Sequence, residues 1–241
     1  MCSSDLIIII QARTDSQRFP NKVLSLIMKK SLLWHVINRA KQIKYGNVIV
    51  ATTTRQIDNK IKKIAQQSKV ECFRGKTHDV LDRFYQAAIK YEADVIVRIT
   101  GDCPLIDPSI SRSIVKKFLQ GDFDYVSTDN NTFPRGVDTE CFSFSALQRS
   151  WKEAKLQSER EHVTSYMWKN PQKFRLNIIV NKRKQPYRLM VDYKDDLILI
   201  KKIYSKLYHN NHTFSIDNAI KLMEKYPSLM KINANHASNE G

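Results

Sequence analysis

Ile7-Ile8-Ile9-Ile10-Gln11-Ala12-Arg13-Thr14-Asp15-Ser16-Gln17-Arg18-Phe19-Pro20-Asn21-Lys22 is the stretch that decides the fold. Four consecutive β-branched side chains read as a strand buried on both faces, as in the middle of a parallel sheet. The chain then enters a loop with three cations, Arg13, Arg18 and Lys22. A strand that opens directly into such a loop places it at the carboxyl edge of a sheet, where open α/β folds bind ligands. Arginine offers a planar fork to phosphate oxygens and lysine a mobile point charge, so the three together suit a polyphosphate. A solvated surface turn is the plainer reading of the same charges.

Beyond the loop, strand and helix signals alternate. Ser31 can cap a helix over 32–43, with Leu33, Val36, Ile37 and Ala40 on one face. Residues 47–52 read as a strand that ends in a polar threonine run beginning at Thr52, and 57–67 as a helix. A short strand over 70–73 ends at Gly75. A helix over 79–91 and a strong strand over 94–100 follow. Strands separated by helices of this length imply right-handed crossovers and a parallel sheet. The expected class is α/β, a Rossmann-like core with a mostly parallel sheet.

The last of these strands runs into Thr100-Gly101-Asp102-Cys103-Pro104-Leu105-Ile106-Asp107-Pro108. Gly101 permits a sharp turn, and Asp102 falls at the same edge as the cationic loop. A carboxylate there is placed to hold Mg²⁺, which takes one or two carboxylates together with substrate phosphates. A turn-capping aspartate is the plainer reading. Later in the chain, 187–192 alternates like a strand that ends in Asp192, before a helix that Asp195 and Asp196 cap. Between these two regions, 123–127 and 133–142 read as strands, and 143–155 and 159–168 as helices. Residues 174–180 and 187–192 read as antiparallel strands joined through the basic turn 181–186. Helices over 199–208 and 216–226 are expected to pack, and 233–241 to be a frayed tail.

The chain has 241 residues, 42% of them hydrophobic and 27% charged, the composition of an ordinary globule. No run reaches the ~18 apolar residues of a membrane helix, and no secretory signal opens it. Cys2, Cys72, Cys103 and Cys141 lack metal-site spacing, so neither zinc nor a disulfide framework is indicated, and a reducing cytoplasm is expected. The net charge of +16 attracts polyanions. Yet its lysines are spread over helix faces, with denser patches only at 13–30 and 182–188. Dedicated nucleic-acid binding is not expected.

These strings, in this order, resemble the cytidylyltransferases that make CMP-activated sugar acids, the acylneuraminate and 3-deoxy-manno-octulosonate cytidylyltransferases. The likeness is closest to the branch that serves spore-coat polysaccharide biosynthesis. The family loop reads roughly Q-A-R-x-G-S-x-R-x-P-x-K, and Gln11, Ala12, Arg13, Ser16, Arg18, Pro20 and Lys22 fit it. Asp15 and Asn21 stand where glycine is usual. Both residue types tolerate positive φ, so the backbone path is expected to survive. The Asp15 carboxylate is expected to repel a triphosphate.

Arg74-Gly75-Lys76-Thr77-His78-Asp79-Val80-Leu81-Asp82-Arg83 is similar to the family's nucleotide wall, although Asp79 has a plainer role as a helix cap. F-P-x-G-x-D-x-E at 133–140 and E-R-E-H-V-T at 159–164 resemble acceptor-pocket and dimerisation segments.

The resemblance implies a Mg²⁺-dependent transfer of CMP from CTP to a sugar acid or a phosphorylated sugar or polyol, with release of pyrophosphate. It implies a role in surface polysaccharide synthesis. One nucleotidyltransferase domain over 1–241 is expected, with about 128–186 inserted as an acceptor and dimerisation subregion of a homodimer. Candidate catalytic residues are Arg13, Lys22, Asp102 and Asp192, the two aspartates holding the metal. Gln11, Ala12, Arg13, Ser16, Arg18, Lys22, Thr52, Arg74, Asp79, Arg83, Thr100 and Asp102 are candidates for the nucleotide. Arg135, Glu140, His162 and Arg188 are candidates for an anionic acceptor, His162 having a structural reading as well. Two rival readings use the same residues: a nucleotidyltransferase for another nucleoside triphosphate, and a catalytically weakened polyanion-binding protein.

Overall fold

The computed structural model describes residues 5–209 and 213–236, so Cys2 and the end of the expected tail lie outside the described residues. The isoleucine run forms β1 (Leu6–Gln11). Ile8 and Ile10 enter one hydrophobic cluster, and Ile7 and Ile9 enter a second on the other face. A strand buried on both sides explains why the run carries no polar alternation.

A two-residue hairpin follows the loop, β2 (Leu26–Ile27) against β3 (Lys30–Ser31). Helix α1 (Leu32–Ala40) starts at Ser31, whose side chain accepts from the Trp34 N–H at 3.2 Å. The order continues β4 (Asn47–Thr53), α2 (Asn59–Gln67), β5 (Glu71–Gly75), α3 (Val80–Lys90) and β6 (Val95–Thr100). Then come α4 (Pro108–Gln120), β7 (Tyr125–Thr128), β8 (Glu140–Ser143), α5 (Phe144–Glu153), α6 (Gln157–Glu161) and α7 (Ser165–Lys169). Strand β9 (Leu176–Ile179) and helices α8 (Lys194–Leu207) and α9 (Ile216–Lys225) follow.

Seven strands form one sheet in the order β5-β4-β1-β6-β8-β7-β9. Strands β5, β4, β1 and β6 are parallel, as the alternation of strand and helix requires. Strand β8 enters antiparallel between β6 and β7. The register sets Gln11 beside Thr100 at the carboxyl edge, and the Gly101 N–H donates to the Gln11 carbonyl at 2.8 Å. A Cβ on residue 101 would lie 2.7 Å from that carbonyl oxygen, so only glycine lets the two strand ends approach.

Four expectations fail, the first being the strand over 133–142, of which only its end is in β8 (Glu140–Ser143). The pair 174–180 and 187–192 is not an antiparallel hairpin: β9 pairs in parallel with β7, and 187–192 lies outside the strands apart from a bridge between Arg135 and Arg188. Its backbone is used elsewhere, Leu189 N–H on the Arg135 carbonyl and Val191 N–H on the Asp102 carbonyl, so Asp192 ends no strand. The helix expected over 159–168 is broken between α6 and α7, where Val163 has φ 55°. The supposed tail begins with a buried residue, Asn233. None of the described helices is long and apolar enough to cross a membrane.

Candidate active site

The carboxyl ends of β1 and β6 open on a cleft of about 460 Å³. Its floor is Gln11, Ala12, Thr100 and Gly101, one side is the loop from Arg13 to Lys22, and the other is Val80 and Arg83 of α3. At its base the Lys22 ammonium donates to Asp102 Oδ2 at 2.6 Å and to Asp192 Oδ1 at 2.6 Å. Lys22 is buried, in a 3-10 turn that follows Asn21. Asn21 takes φ 60°, the left-handed conformation that asparagine tolerates at this glycine-like position.

Burial alone would lower the Lys22 pKa, but Asp102 and Asp192 hold it above the ordinary value. Burial pushes the Asp102 carboxyl up, and Lys22 with Thr100 brings it below the usual carboxylate range. Lys22 and Asp102 therefore stand as a cation and an anion in contact.

Among the described residues no cluster of three potential ligands occurs. Two carboxylates that face one point, with open cleft beside them, nevertheless fit Mg²⁺, which needs few protein oxygens when phosphates and water supply the rest. The Lys22 ammonium marks that point.

Asp192 is held from behind. It accepts from Arg188 Nη2 at 3.1 Å and pairs with Arg18 at 3.2 Å. Asp196 Oδ2 accepts the N–H groups of Asp192 and Tyr193, each at 2.9 Å, and so caps α8 as expected. Arg188 is buried against Asp192 and Asp196, so it supports the metal candidate from behind the cleft wall.

Arg13 pairs with Glu161 at 3.3 Å and with Asp15 at 3.5 Å, and Arg55 also donates to Asp15. The Asp15 charge is therefore taken up by two guanidinium groups. That corrects the expectation that its carboxylate confronts the ligand.

Asp58 fixes the start of the loop. Fully buried, it accepts from Thr14 N–H at 2.9 Å, from the Thr14 hydroxyl at 2.7 Å, and from the Thr53 hydroxyl. Sequence reasoning missed Asp58, Arg55 and Glu161, because each acts through a partner remote in the chain.

Arg83 is buried on the cleft wall, with its Nε lacking a partner. Burial, followed by the nearby Arg13, lowers its pKa to about 10. A buried guanidinium with an unspent N–H beside a cleft is a ready hydrogen-bond donor for a ligand.

Ser16 and His162 also line the cleft. Thr52, Arg74, Asp79, Arg135, Glu140 and Arg188 do not. Thr52 is buried at the end of β4. Arg74 spends three donors on the connection after β4, reaching the Thr53 and Arg55 carbonyls and the Asn59 side chain. Asp79 caps α3 through Asp82 N–H and takes a two-pronged contact from Arg160. The backbone of Arg135 pairs with Tyr187 and Leu189.

Glu140 is the cross-strand neighbour of Arg98 and accepts from it, from Tyr125 OH at 2.6 Å and from Thr164 Oγ1 at 2.5 Å. Burial would raise the Glu140 carboxyl, and Arg98 with these hydroxyls keeps it low. Its oxygens are already committed inside the fold.

The cytidylyltransferase family model matches residues 7–227. An uncharacterised protein of Methanocaldococcus jannaschii is 39% identical over 94% of this chain and 93% of its own length. The spore coat polysaccharide biosynthesis protein SpsF of Bacillus subtilis is 30% identical over 84% of this chain and 88% of its own. The structure of a cytidylyltransferase from Leptospira borgpetersenii superposes with a TM-score of 0.89 at 35% identity, covering 94% of this chain and 96% of that one.

Proposed function

Because the chain belongs to the cytidylyltransferase family and is a nucleotidyltransferase, we propose that it moves CMP from CTP to an anionic acceptor. The acceptor class is a sugar acid or a phosphorylated sugar or polyol destined for surface polysaccharide. The observation that carries the reading is the Lys22 ammonium seated between Asp102 and Asp192 at the base of a cationic cleft.

In the transfer, an acceptor oxygen attacks the α-phosphorus, the bond from that phosphorus to the bridging oxygen breaks, and pyrophosphate leaves. A hydroxyl acceptor gives up its proton to water, whereas a phosphate oxygen carries none. Arg13 and Arg18 hold the outer phosphates and stabilise the charge that builds on the leaving group. Lys22 neutralises the two aspartates, and its four-carbon stem lets the ammonium turn to phosphate oxygens when a divalent cation takes the carboxylates. Mg²⁺ held by Asp102 and Asp192 would neutralise phosphate charge and orient the triphosphate. Gln11 and Arg83 line the same cleft, and the unspent Arg83 Nε–H is the donor it offers to the nucleotide. No nucleophile on the protein is needed, because such reactions depend on positioning and charge stabilisation. Carboxylates at the cleft base disfavour the simple polyanion binder, which has no use for them.

His162 on the cleft wall is the acceptor-side candidate. The homodimer belongs to the same proposal: β9 is the sheet's last strand, with Ile178 exposed on it and Val180 exposed just after it. Sedimentation at micromolar concentration tests the dimer.

Pyrophosphate release, measured with each of the four nucleoside triphosphates against a panel of sugar acids and sugar phosphates, tests the function. CTP-selective release that needs both an acceptor and Mg²⁺ is expected. Release that favours another triphosphate, or none with any acceptor, would overturn the reading.

A further inference from the structure

The residues after 227 lie beyond the family match, yet they pack directly on the supports of Asp192. Asn233 is 5% exposed, and its Nδ2 donates to Asp196 Oδ1 at 2.8 Å and to the Arg188 carbonyl at 3.1 Å. Those are two of the residues that hold Asp192, the two on the side away from Lys22. Asp196 accepts its N–H and Arg188 donates to its Oδ2. Three residues further on, the His236 ring stacks on Tyr193 with centroids 4.0 Å apart and planes 8° apart, while Nε2 lies 3.2 Å from Asp195 Oδ2. Tyr193 is the neighbour of Asp192, and the Arg18 guanidinium lies 5.3 Å from its ring. One short C-terminal segment thus grips both sides of the turn that presents Asp192.

We propose that the segment from residue 227 to 236 is part of the active site, and that Asn233 is a positioning residue that fixes Asp192 for a divalent cation. A buried amide spent on both partners of a metal-binding carboxylate restricts that carboxylate's orientation, and such outer partners govern affinity for the ion. The Asn233 amide satisfies two buried acceptors, the Arg188 carbonyl and Asp196 Oδ1, which an apolar side chain of similar size would leave unpaired. His236 does the secondary work of keeping Tyr193, and with it the turn, in place.

The positioning rests on the proposed metal pair but does not need turnover for its test. Mn²⁺ alone is titrated into the full chain and followed by electron paramagnetic resonance, with thermal unfolding measured in parallel. Asn233→Ala is expected to weaken Mn²⁺ binding about tenfold and, in the pyrophosphate assay, to raise the Mg²⁺ concentration needed for half-maximal rate by a similar factor. The KM for CTP at saturating Mg²⁺ should barely change. His236→Ala should weaken Mn²⁺ binding two- to threefold, and it carries the test if Asn233→Ala does not fold.

Unaltered Mn²⁺ affinity in a variant with a lowered unfolding midpoint would overturn the positioning role and leave Asn233 a packing residue. A wild-type chain that binds no Mn²⁺ would overturn the Asp102 and Asp192 pair itself. Loss of CTP turnover in a wild type that binds Mn²⁺ normally would count against the transfer reaction alone.

Discussion

Lys22 and Asp192 are 170 positions apart in sequence, and their side chains meet at 2.6 Å, with Asp102 on the same ammonium. This contact ties the cationic loop to the start of α8, across the carboxyl edge of the sheet. It also gives the cation a role the loop sequence does not announce, because Lys22 holds two carboxylates together before any phosphate arrives.

Removing that ammonium should destabilise the protein and strengthen its response to a divalent ion. Lys22→Met removes the cation shared by the part-buried Asp102 and the buried Asp192. Although Asp192 keeps Arg18 and Arg188, breaking such a pair costs up to about 3–5 kcal/mol. Mg²⁺ then binds without displacing an ammonium. Urea unfolding with and without Mg²⁺ should show a larger gain for the variant than for wild type. An equal gain would show that the ion and Lys22 occupy separate places.

Arg18 is half exposed and reaches Asp192 from the loop side. It has the length to turn from that carboxylate to the outer phosphates. Arg18→Ala is expected to weaken CTP binding by roughly 1.5–3 kcal/mol while CMP binding stays the same, since CMP lacks those phosphates. Calorimetry with both nucleotides checks it. Equal losses would place Arg18 at the α-phosphate or the sugar.

Asp15 should behave as part of the loop's framework. Its carboxylate lies between Arg13 and Arg55, so its removal frees two guanidinium groups that then repel one another. Asp15→Gly is expected to weaken CTP binding about two- to fivefold at both low and high salt, the loss of a modest ion-pair contact. Tighter binding of CTP by the glycine variant at low salt would mean that the carboxylate faces the phosphates after all.

His35 sets a pH limit on stability. Burial lowers its pKa to about 4, despite the bond from its Nε2 to the Ile27 carbonyl at 2.8 Å. The unfolded chain, with an ordinary histidine near pH 6.5, binds the proton more tightly than the native state does. The stabilisation is therefore complete above about pH 6.5 and lost as the pH falls towards 4, a change of roughly 3 kcal/mol. Unfolding free energies of wild type and His35→Gln, measured from pH 7 to 4, should converge as the pH falls. Parallel curves would show that His35 is not buried neutral.

The centre of the parallel half was legible because β1 and β4 are almost wholly buried and carry β-branched runs, with β6 broken only at Arg98, while β5 at the edge is half-buried. Asp102 was legible for a related reason, standing directly after such a run. Residues 187–192 misled because Leu189-Met190-Val191 is a short apolar run closed by Asp192, as a strand ending at a sheet edge would be. In the structure Leu189 and Val191 are buried in the core from an irregular segment whose backbone bonds go to Arg135 and Asp102. Glu140 looked like a binding residue in its motif, yet the β6–β8 register pairs it with Arg98 inside the fold. Asp58 and Asn233 gave no signal, since a single buried polar residue declares itself only through partners that tertiary structure brings to it.

Pyrophosphate release from CTP, compared between wild type and Asp102→Asn at saturating Mg²⁺ with the acceptor the wild type uses, tests the account most directly. Losing one of two metal carboxylates should remove several kcal/mol of transition-state stabilisation, so turnover is expected to fall at least ~100-fold while the circular dichroism spectrum stays that of a folded chain. Asp192→Asn should match the loss and also lower the unfolding midpoint, because Arg188 would then lose half of its buried anionic support. Near-wild-type turnover by a folded Asp102→Asn variant would contradict the assignment of Asp102 and Asp192 as the pair at the centre of the transfer.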